Sequence, residues 1–274
     1  MTGGEQFEER QTIAESVEVA SQLVELWRAN PPEALTVLDR SASRALSTLA
    51  HVDHAANLAD AISTLVTRNM LVQAVPLLRL TMECAVTAAW FAVTPNSGRA
   101  AGLEGAKERL KLARGLARLS GADASDVIED LEQNVRDESE AYSAEAHKFE
   151  QRALSLAGMD WLYVGYRELS GYSHAGTPLM DHYLRPAERT ADAPLGVTYS
   201  PENEFAVAEQ VFQLHPLLMH LALTAWDTIA VEHPMRDSLR EVAETLGVSP
   251  TIQRRISRRE AAASRLAMRQ GHSR

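Results

Sequence analysis

The sequence predicts an all-α protein, and two observations support this fold class. Apolar residues recur at three- and four-residue steps along most of the 274 residues, which is the period of a helix with one buried face. Aromatic residues make up only 5% of a chain that is 45% hydrophobic. This composition, rich in alanine and leucine, favours closely packed helices over a β-sandwich.

Three helices are expected in the first third of the chain. Apolar residues mark one face of 13–27, which an Asn-Pro-Pro turn ends, since proline disfavours a helical residue before it. A second periodic run covers 35–65. Residues 71–93 are apolar nearly all round, as expected of a central helix, and Pro76 should kink this helix or start it afresh.

The middle of the chain alternates between helices and polar segments. A mixed-charge helix is expected at 99–119. Residues 123–150 hold ten acidic and two basic residues, which predicts a solvated outer helix or arm. A helix at 157–171 follows. Residues 175–203, with four prolines, form the longest irregular region, in which LGVTYS predicts one short strand.

Further helices are expected at 202–246. We therefore predict a single all-α domain over 1–248, with a bundle core at about 35–185 and a helical extension at 202–246. Residues 249–274 form a basic tail, which contains seven arginines and one acidic residue.

Composition and charge narrow the function classes. A net charge of −10 argues against non-specific coating of nucleic acid by the whole surface. The single cysteine, Cys84, lies in an apolar run and fits a reducing compartment. The N-terminus shows no basic stretch followed by an apolar one, and the longest uncharged apolar run, 84–93, is too short to cross a bilayer. We expect a cytoplasmic protein without membrane contact.

Two charged residues interrupt the apolar helix at 71–93. Arg79 and Glu83 stand four residues apart on one face, so their side chains can pair. Buried charges are costly unless their partners are well placed. One interpretation is an ion pair at a helix–helix contact. The other, which we favour, is a polar pocket in which both side chains meet charged groups from another helix.

The stretch YRELSGYSHAG at 166–176 places Arg167 and His174 seven residues apart. If the helix continues through Gly171, the two residues share a face about 10 Å apart. A left-handed cap at Gly171 would instead fold His174 back toward Arg167. A histidine transfers protons near neutral pH, and a guanidinium binds phosphate oxygens. The simpler alternative is that His174 caps the helix and Arg167 pairs with Glu168 or a neighbouring acid.

The two motifs, R-x-x-x-E in one helix and Y-R-x-L-S-x-x-x-H in a later one, resemble those of a bacterial family of unknown function. The second motif also resembles the R-x(4–6)-H signature of the HEPN superfamily (higher eukaryotes and prokaryotes nucleotide-binding), at its longest spacing. The resemblance covers about 35–185. It implies a HEPN-like helical bundle, a homodimer and, in many members, a metal-independent ribonuclease of a toxin–antitoxin or phage-defence system.

The resemblance also implies roles for four residues. His174 would act as general acid and base for attack of a ribose 2′-OH on the adjacent phosphate, Arg167 would hold the phosphoryl oxygens, and Glu83 and Arg79 would orient the pair. The products would be a 2′,3′-cyclic phosphate and a 5′-OH, without metal or cofactor. RNA, a second copy of the chain and an antitoxin are the implied partners. Glu168 stands where active members carry Asn, His or Asp, which keeps a non-catalytic ligand-binding or assembly module as the alternative.

The sequence HVDH brings His51 and His54 one helical turn apart. Two histidines can share a metal, but a site normally needs three or four ligands. Further ligands, such as His182 or His215, would have to come from distant parts of the chain. We therefore expect histidines that make hydrogen bonds on the surface or between helices, and we assign no metal site.

The segment EVAETLGVSPTIQRRI at 241–256 allows two interpretations. Its alanine and glycine have the offset of a helix-turn-helix, in which the first arginines of the tail would contact DNA phosphates. We favour a helix that ends at Gly247 and is followed by a solvated basic tail. This tail either binds RNA electrostatically or lies against the acidic segment 123–150 of its own or a partner chain. Four arginines are the candidate nucleic-acid contacts: Arg254, Arg255, Arg258 and Arg259.

Overall fold

The computed structural model describes residues 12–32, 42–121, 123–200, 205 and 207–255. Within these ranges the fold is a helical bundle with a small two-stranded sheet, which confirms the predicted all-α class. A 3₁₀ turn spans Ser139–Ala141. The α-helices and strands, in chain order, are α1 (Ile13–Ala29), α2 (Ala42–Thr67), α3 (Leu71–Val93), α4 (Ser97–Ser120), α5 (Ser125–Asp137), α6 (Ala144–His147), α7 (Phe149–Leu154), α8 (Trp161–Ser173), α9 (Thr177–Tyr183), β1 (Leu184–Pro186), β2 (Val197–Tyr199), α10 (Ala208–Phe212), α11 (Leu214–Ile229) and α12 (Arg236–Leu246).

Helix α3 is the centre of the bundle. It packs against α2, α11 and α8, and 15 of its 23 residues are buried. Ala85, Ala88 and Ala89 have no exposed surface, and their small side chains let the neighbouring helices approach closely. Although α3 is long and apolar enough to cross a membrane, it is buried on several sides, as a core helix is.

The helical extension expected at 202–246 contributes to the same core. α11 packs against α1, α2 and α3 and buries Leu218, Met219 and Trp226. The Trp226 ring meets the Trp27 ring of α1 edge to face, with centroids 6.1 Å apart. α11 is therefore an inner helix of the bundle, whereas α12 buries only Leu239 and Ala243. The sequence of α11 did not indicate this position, because a helix that is apolar on most sides has no polar face to orient it.

Local signals set several helix ends. The Thr12 hydroxyl accepts a hydrogen bond from the Glu15 backbone N–H at 3.2 Å, and the Glu15 carboxylate accepts one from the Thr12 backbone N–H at 2.7 Å, which is a capping box. Gly121 and Gly247 end α4 and α12 with positive φ angles, which glycine adopts without a steric penalty, and the end at Gly247 is the one that the sequence predicted. α3 runs unbroken through Pro76, so the predicted fresh start there does not occur.

The described part of the region 175–203, which ends at residue 200, is only partly irregular, and this corrects the prediction of one long loop. Thr177–Tyr183 forms α9, with Pro178 in the first turn, where the missing proline N–H has no helical partner to lose. β1 and β2 then pair antiparallel, with Leu184 opposite Tyr199. The strand predicted within LGVTYS is β2.

The acidic segment 123–150 lies on the outside of the bundle only in its first half. α5 has no buried residue and packs on α4, where Arg114 and Glu132 form an ion pair at 2.7 Å. The predicted solvated outer helix is thus confirmed for α5. α6 and α7 return toward the core, and Ala146 is buried beside α3, so the segment as a whole is not a free arm.

Candidate active site between α3 and α8

Helices α3 and α8 approach each other closely at a glycine. Gly165 is buried on α8, and a Cβ atom built there would lie 3.3 Å from Cε of Met82 on α3, which is tighter than ordinary van der Waals contact. Leu162 and Leu169 on the same side of α8 are fully buried. The glycine therefore brings the backbone of α8 next to the face of α3 that carries Glu83.

Arg79 is the hub of a polar cluster at this helix–helix contact. Its Nη2 lies 2.9 Å from Oε1 of Glu83 and donates to the hydroxyl of Tyr166 on α8 at 2.7 Å. The guanidinium carbon also lies 4.9 Å from the centroid of the Tyr166 ring, which adds a cation–π attraction. Both interpretations of Arg79 and Glu83 therefore hold in part, because the ion pair forms and it meets polar groups from another helix.

His174 completes the cluster from the end of α8. It is the C-cap residue, with an extended backbone, and its side chain is exposed. Its Nε2 atom lies 3.4 Å from Nη1 of Arg79. Because a guanidinium can only donate, Nε2 is the acceptor in this contact and carries a lone pair. Residues that are 95 positions apart in the sequence thus meet at one surface site.

Arg167 stands apart from the cluster. α8 continues through Gly171 to Ser173, so of the two alternatives for Gly171 the continuous helix is the one that forms, and His174 does not fold back toward Arg167. The seven-residue separation leaves these two residues on one face of α8, about 10 Å apart along its axis. A Cβ atom on Gly171 would lie 3.4 Å from Cγ of Pro178. Gly171 thus lies inside α8, faces Pro178 of α9 at an ordinary van der Waals distance and does not form a turn.

Arg167 and Glu168 both point to solvent. Among the described residues, neither has a hydrogen bond, an ion pair or a cation–π partner, so the predicted pairing of Arg167 with a neighbouring acid does not occur there. Arg167 is consequently a solvated cation on the face of α8 that leads to His174. Glu168 makes no contact with the cluster.

Tyr166 is a member of the site that the sequence reasoning missed. Its ring stacks on Phe149 of α7, with centroids 4.1 Å apart, and its hydroxyl is held by Arg79. The aromatic stack fixes the ring, and the ring in turn fixes the guanidinium. The signal was present in the motif, since Tyr166 directly precedes Arg167, but an aromatic residue near Leu162 and Leu169 is typical of a core position.

A second arginine, Arg152 of α7, lies largely buried behind the cluster. Its three nitrogens donate to the Thr87 hydroxyl at 2.6 Å and to the backbone carbonyls of Ala146 and Glu145 at 2.9 and 3.2 Å. Burial lowers the pKa of the Arg152 guanidinium, and the charge of Glu83 opposes that shift. Glu83 therefore lies in the field of two arginines, one on the surface and one inside. No feature of the surrounding sequence KFEQRAL indicated this burial.

Cys84 is adjacent to Glu83 but belongs to the core. Burial, together with the nearby Glu83 charge, raises the pKa of the thiol to about 11. The thiol thus stays protonated at neutral pH and packs as a small apolar side chain, as its apolar sequence context predicted.

A sequence model of a protein family covers the region that contains the Arg79 cluster. The sequence model described as a family of unknown function (DUF5677) matches residues 47–191, which is more than half of the chain. The chain belongs to this family. No curated protein and no solved structure matches it. The matched region runs from α2 to the residues between β1 and β2, and it contains every residue of the Arg79 cluster.

The histidines of HVDH lie inside the family match but hold no metal-like arrangement. The Nδ1 atom of His51 lies 2.7 Å from the Ser47 carbonyl, and its ring centroid lies 5.7 Å from that of Phe91. Burial lowers the pKa of His51, so the ring is neutral at pH 7. Within the described ranges, no three His, Cys, Asp or Glu side chains gather as a candidate metal site.

The tail arginines lie outside the family match. Arg254 pairs with Glu145 at 3.3 Å and Arg255 with Asp160 at 2.8 Å. The first ion pair agrees with the alternative in which the tail lies against the acidic segment 123–150. Arg258 and Arg259 fall outside the described residues. Nucleic-acid binding by these four arginines stays a prediction.

The helix-turn-helix alternative is not supported in the described part of the tail. After Gly247 ends α12, residues 248–255 contain no helix, so the second helix does not begin there. Instead Arg254 forms an isolated antiparallel bridge with Leu156, and Ile252 is buried. The favoured interpretation, a glycine-ended helix, is correct, although the segment that follows it is anchored to the bundle.

Proposed function

We propose that the protein is a HEPN-like, metal-independent endoribonuclease whose centre is the Arg79–Glu83–Tyr166–His174 cluster. The observation that carries the proposal is the contact between Nη1 of Arg79 and Nε2 of His174 at 3.4 Å. It pairs an exposed imidazole, whose Nε2 carries a lone pair, with a guanidinium that two other side chains hold in place. Cleavage of RNA next to a ribose 2′-OH needs these two groups, a proton acceptor and a cation beside the phosphate.

The chemistry at this site follows from the arrangement. Nε2 of His174 accepts the proton of the ribose 2′-OH while the 2′-oxygen forms a bond to phosphorus. The bond between phosphorus and the 5′-oxygen breaks, and that oxygen receives a proton. The products are a 2′,3′-cyclic phosphate and a 5′-OH. The step consumes no water, and the proposed mechanism uses no metal ion. The weak Arg79–His174 contact opens when the phosphate enters between the two groups.

The geometry supports roles for Arg79 and Arg167 that differ from those that the sequence suggested. Arg79, and not Arg167, lies beside His174 and would stabilise the charge on the phosphoryl oxygens. Arg167, about 10 Å along the same face of α8, would hold a neighbouring phosphate of the RNA chain. Glu83 and Tyr166 fix the Arg79 guanidinium and have no direct chemical step. Glu168 is solvated beside Arg167 and weakens, without blocking, the attraction for RNA.

A homodimer would complete this mechanism. In-line attack places the 2′- and 5′-oxygens on opposite sides of phosphorus, so a group on each side is needed to accept and to donate a proton. Each chain offers one exposed His174, and a second copy across a shared cleft would supply the other. We therefore propose that the protein forms a homodimer in the cytoplasm. It would act in the toxin–antitoxin or phage-defence setting that the resemblance implies.

The test is RNA cleavage by the purified full-length protein. Wild-type protein should cut single-stranded RNA in the presence of EDTA and leave 2′,3′-cyclic phosphate ends. His174→Ala should reduce the cleavage rate by at least about 10²-fold, while His54→Ala, a control at an exposed histidine outside the cluster, should cut at the wild-type rate. In bacterial cells, only the active versions should arrest growth, and a cognate antitoxin would relieve the arrest. Intact RNA at every pH and salt concentration tried would refute the proposal.

A second candidate function has one specific observation in its favour. Nη2 of Arg79 is already shared by Glu83 and Tyr166, which is the arrangement of a cluster that fastens α8 to α3. The protein would then be a non-catalytic helical module for ligand binding or assembly, with or without DNA binding through its tail. In that case His174→Ala would change neither RNA cleavage nor growth, whereas Arg79→Ala would lower thermal stability.

A further inference from the structure

A cavity of about 250 Å³ lies on another part of the bundle. One wall is a face of α11, a second is the turn that joins α7 to α8, and the third is the segment that follows α12. Gly158 and Gly247, both with positive φ angles, make the turns at two of its edges. The cavity is thus built by three separate stretches of chain and is independent of the proposed RNA site.

Two polar side chains on α11 line this cavity one helical turn apart, His220 and Thr224. Nε2 of His220 lies 3.0 Å from the Leu239 carbonyl. Because a carbonyl only accepts, Nε2 carries the hydrogen and Nδ1 is left with an acceptor lone pair. Burial lowers the pKa of His220, against the opposing effect of the Leu239 hydrogen bond, so the ring stays neutral.

Thr224 differs from other helical threonines of this protein. The hydroxyls of Thr48, Thr81 and Thr228 each donate to the carbonyl four residues earlier, at 2.9, 2.9 and 2.7 Å. Thr224 is 5% exposed, and its hydroxyl has no hydrogen-bond partner among the described residues. An unpaired buried hydroxyl is costly, and here it belongs to a side chain that lines a cavity. A ligand would supply the missing partner.

The rest of the lining is uncharged and, apart from Ser249, whose hydroxyl donates to the Thr251 carbonyl, consists of apolar residues and glycines. Trp161 and Met159 lie on one side, and Val248 and Ile252 lie on the other. None of the described residues that line the cavity carries a formal charge at neutral pH. A charged ligand would lose its hydration without gaining a counter-charge, so the geometry selects a neutral one.

The volume sets the size of that ligand. A dry cavity of about 150 Å³ is enough to bind benzene. In proportion, about 250 Å³ accommodates roughly ten non-hydrogen atoms. We propose that this cavity binds a small neutral phenol or alcohol, with its apolar body between Trp161 and Ile252. The ligand hydroxyl donates to Nδ1 of His220 and accepts from the Thr224 hydroxyl.

Ligand binding also involves the start of the tail. Val248 and Ile252 form one wall, and the ion pair between Arg255 and Asp160 follows directly. A ligand that packs against this wall stabilises the segment 248–255 against local opening. Amide hydrogen exchange in 248–255 should therefore slow when the cavity is filled.

The binding test uses calorimetry with 4-propylphenol and, as a probe of similar size without a hydroxyl, butylbenzene. Wild-type protein should bind the phenol in a saturable one-to-one manner and more tightly than the hydrocarbon. Thr224→Val should weaken phenol binding about tenfold and leave butylbenzene binding unchanged. Thr224→Ser, which keeps the hydroxyl, should retain phenol binding. His174→Ala should bind as wild type does, because the two sites are separate.

A matched control lies one turn along the same helix. Thr228 does not line the cavity, and its hydroxyl donates to the backbone carbonyl of Thr224, so Thr228→Val should leave phenol binding intact. The proposal is overturned if 4-propylphenol does not bind, if Thr224→Val and Thr228→Val weaken binding equally, or if hydrogen exchange in 248–255 is the same with and without the phenol.

Discussion

Two arginines near Glu83 show how one residue type serves two purposes in the same bundle. Each nitrogen of Arg152 donates to a protein acceptor, namely Thr87, Ala146 and Glu145. The guanidinium also lies 5.2 Å from the centroid of the Trp90 ring. Arg152 is thus satisfied on every edge and is only partly exposed. Its function is to hold α6 and α7 against α3.

Arg79 is satisfied on one side only. Nη2 is shared by Glu83 and Tyr166, whereas Nη1 makes only the long contact with His174. Its Nε is buried without a hydrogen-bond partner among the described residues. An arginine that is fixed on one edge and open on the other is suited to bind an oxyanion. The donors that remain open therefore distinguish Arg79, a candidate catalytic cation, from Arg152, a structural one.

The largest expected effect is on catalysis at Arg79. Arg79→Ala should lower the RNA cleavage rate by about 10²–10³-fold, because the donors beside His174 are lost. Stability should fall by about 2 kcal/mol, because the hydrogen bond to the Tyr166 hydroxyl and the ion pair with Glu83 are lost. Arg79→Lys keeps a charge without the planar pair of donors and should lie between the two. Single-turnover cleavage and urea unfolding measure the two quantities.

The outcome that would contradict this division involves Arg167. If Arg167→Ala abolishes cleavage while Arg79→Ala cuts at the wild-type rate, the role assigned by the sequence motif is right and the one assigned by the geometry is wrong. Equal losses would mean that both cations hold the same phosphate, which requires α8 to end earlier than it does here.

The next effect is on stability at Arg152. Arg152→Met keeps most of the apolar length but leaves two buried carbonyls and the Thr87 hydroxyl without their donor. We expect the free energy of unfolding to fall by about 3 kcal/mol, roughly one for each lost partner, and urea denaturation measures it. Folded Arg152→Met protein should still cleave RNA. A change below about 1 kcal/mol would show that water replaces the guanidinium and that the site is less closed than it is here.

How far the sequence predicted this site depends on the residue. Spacing alone placed Arg79 and Glu83 on one helix face, and the motif singled out His174, which indeed reaches Arg79. The position of Arg167 relative to His174 was left open, because Gly171 can either end a helix or lie within it, and the local sequence does not distinguish the two. Arg152 was not foreseen at all. Its burial depends on how α6 and α7 fold onto α3, and no local pattern of apolar residues records that contact.

The fold shows the same difference between local patterns, which the sequence records, and contacts between distant segments, which it does not. Helices with a strong three- to four-residue period, such as α1 and α3, were found within about two residues. The inner position of α11 and the short helix α9 were not, since both depend on contacts between distant segments. Local periodicity thus predicts elements well and their neighbours poorly.

A third group, His215, is more deeply buried than Arg152 and lacks the hydrogen-bond partners that Arg152 has. It has no exposed surface, and neither ring nitrogen has a hydrogen bond among the described residues. Burial lowers its pKa from 6.5 to about 4. The folded protein therefore favours the neutral ring. The contribution of this ring to the free energy of unfolding is fully present above pH 6.5 and is lost as the pH falls from 6.5 toward 4. The loss should reach about 3 kcal/mol at pH 4.

Urea unfolding between pH 7 and pH 4 measures this slope. His215→Leu should flatten it and should raise stability at pH 7 by about 1 kcal/mol, because it replaces two unpaired nitrogens with apolar surface. The remaining slope has the same sign, since burial also lowers the pKa of His51 and His220. His54→Ala, at an exposed position, is the control. An unchanged slope in His215→Leu would mean that a partner for the ring forms in solution.

The smallest effect is expected at the tail, where the comparison extends to a third kind of arginine. Arg255 is 45% exposed and bonds both carboxylate oxygens of Asp160, so Arg255→Ala should cost less than about 1 kcal/mol of stability. Because this charge is already paired, its loss should change RNA affinity less than Arg258→Ala with Arg259→Ala. For that double variant, the slope of log affinity against log salt should fall by about two units at most. An equal fall for Arg255→Ala would show that RNA displaces Asp160 from Arg255. Arg255 would then be a cation available to phosphate, as Arg79 is, and not a structural cation like Arg152.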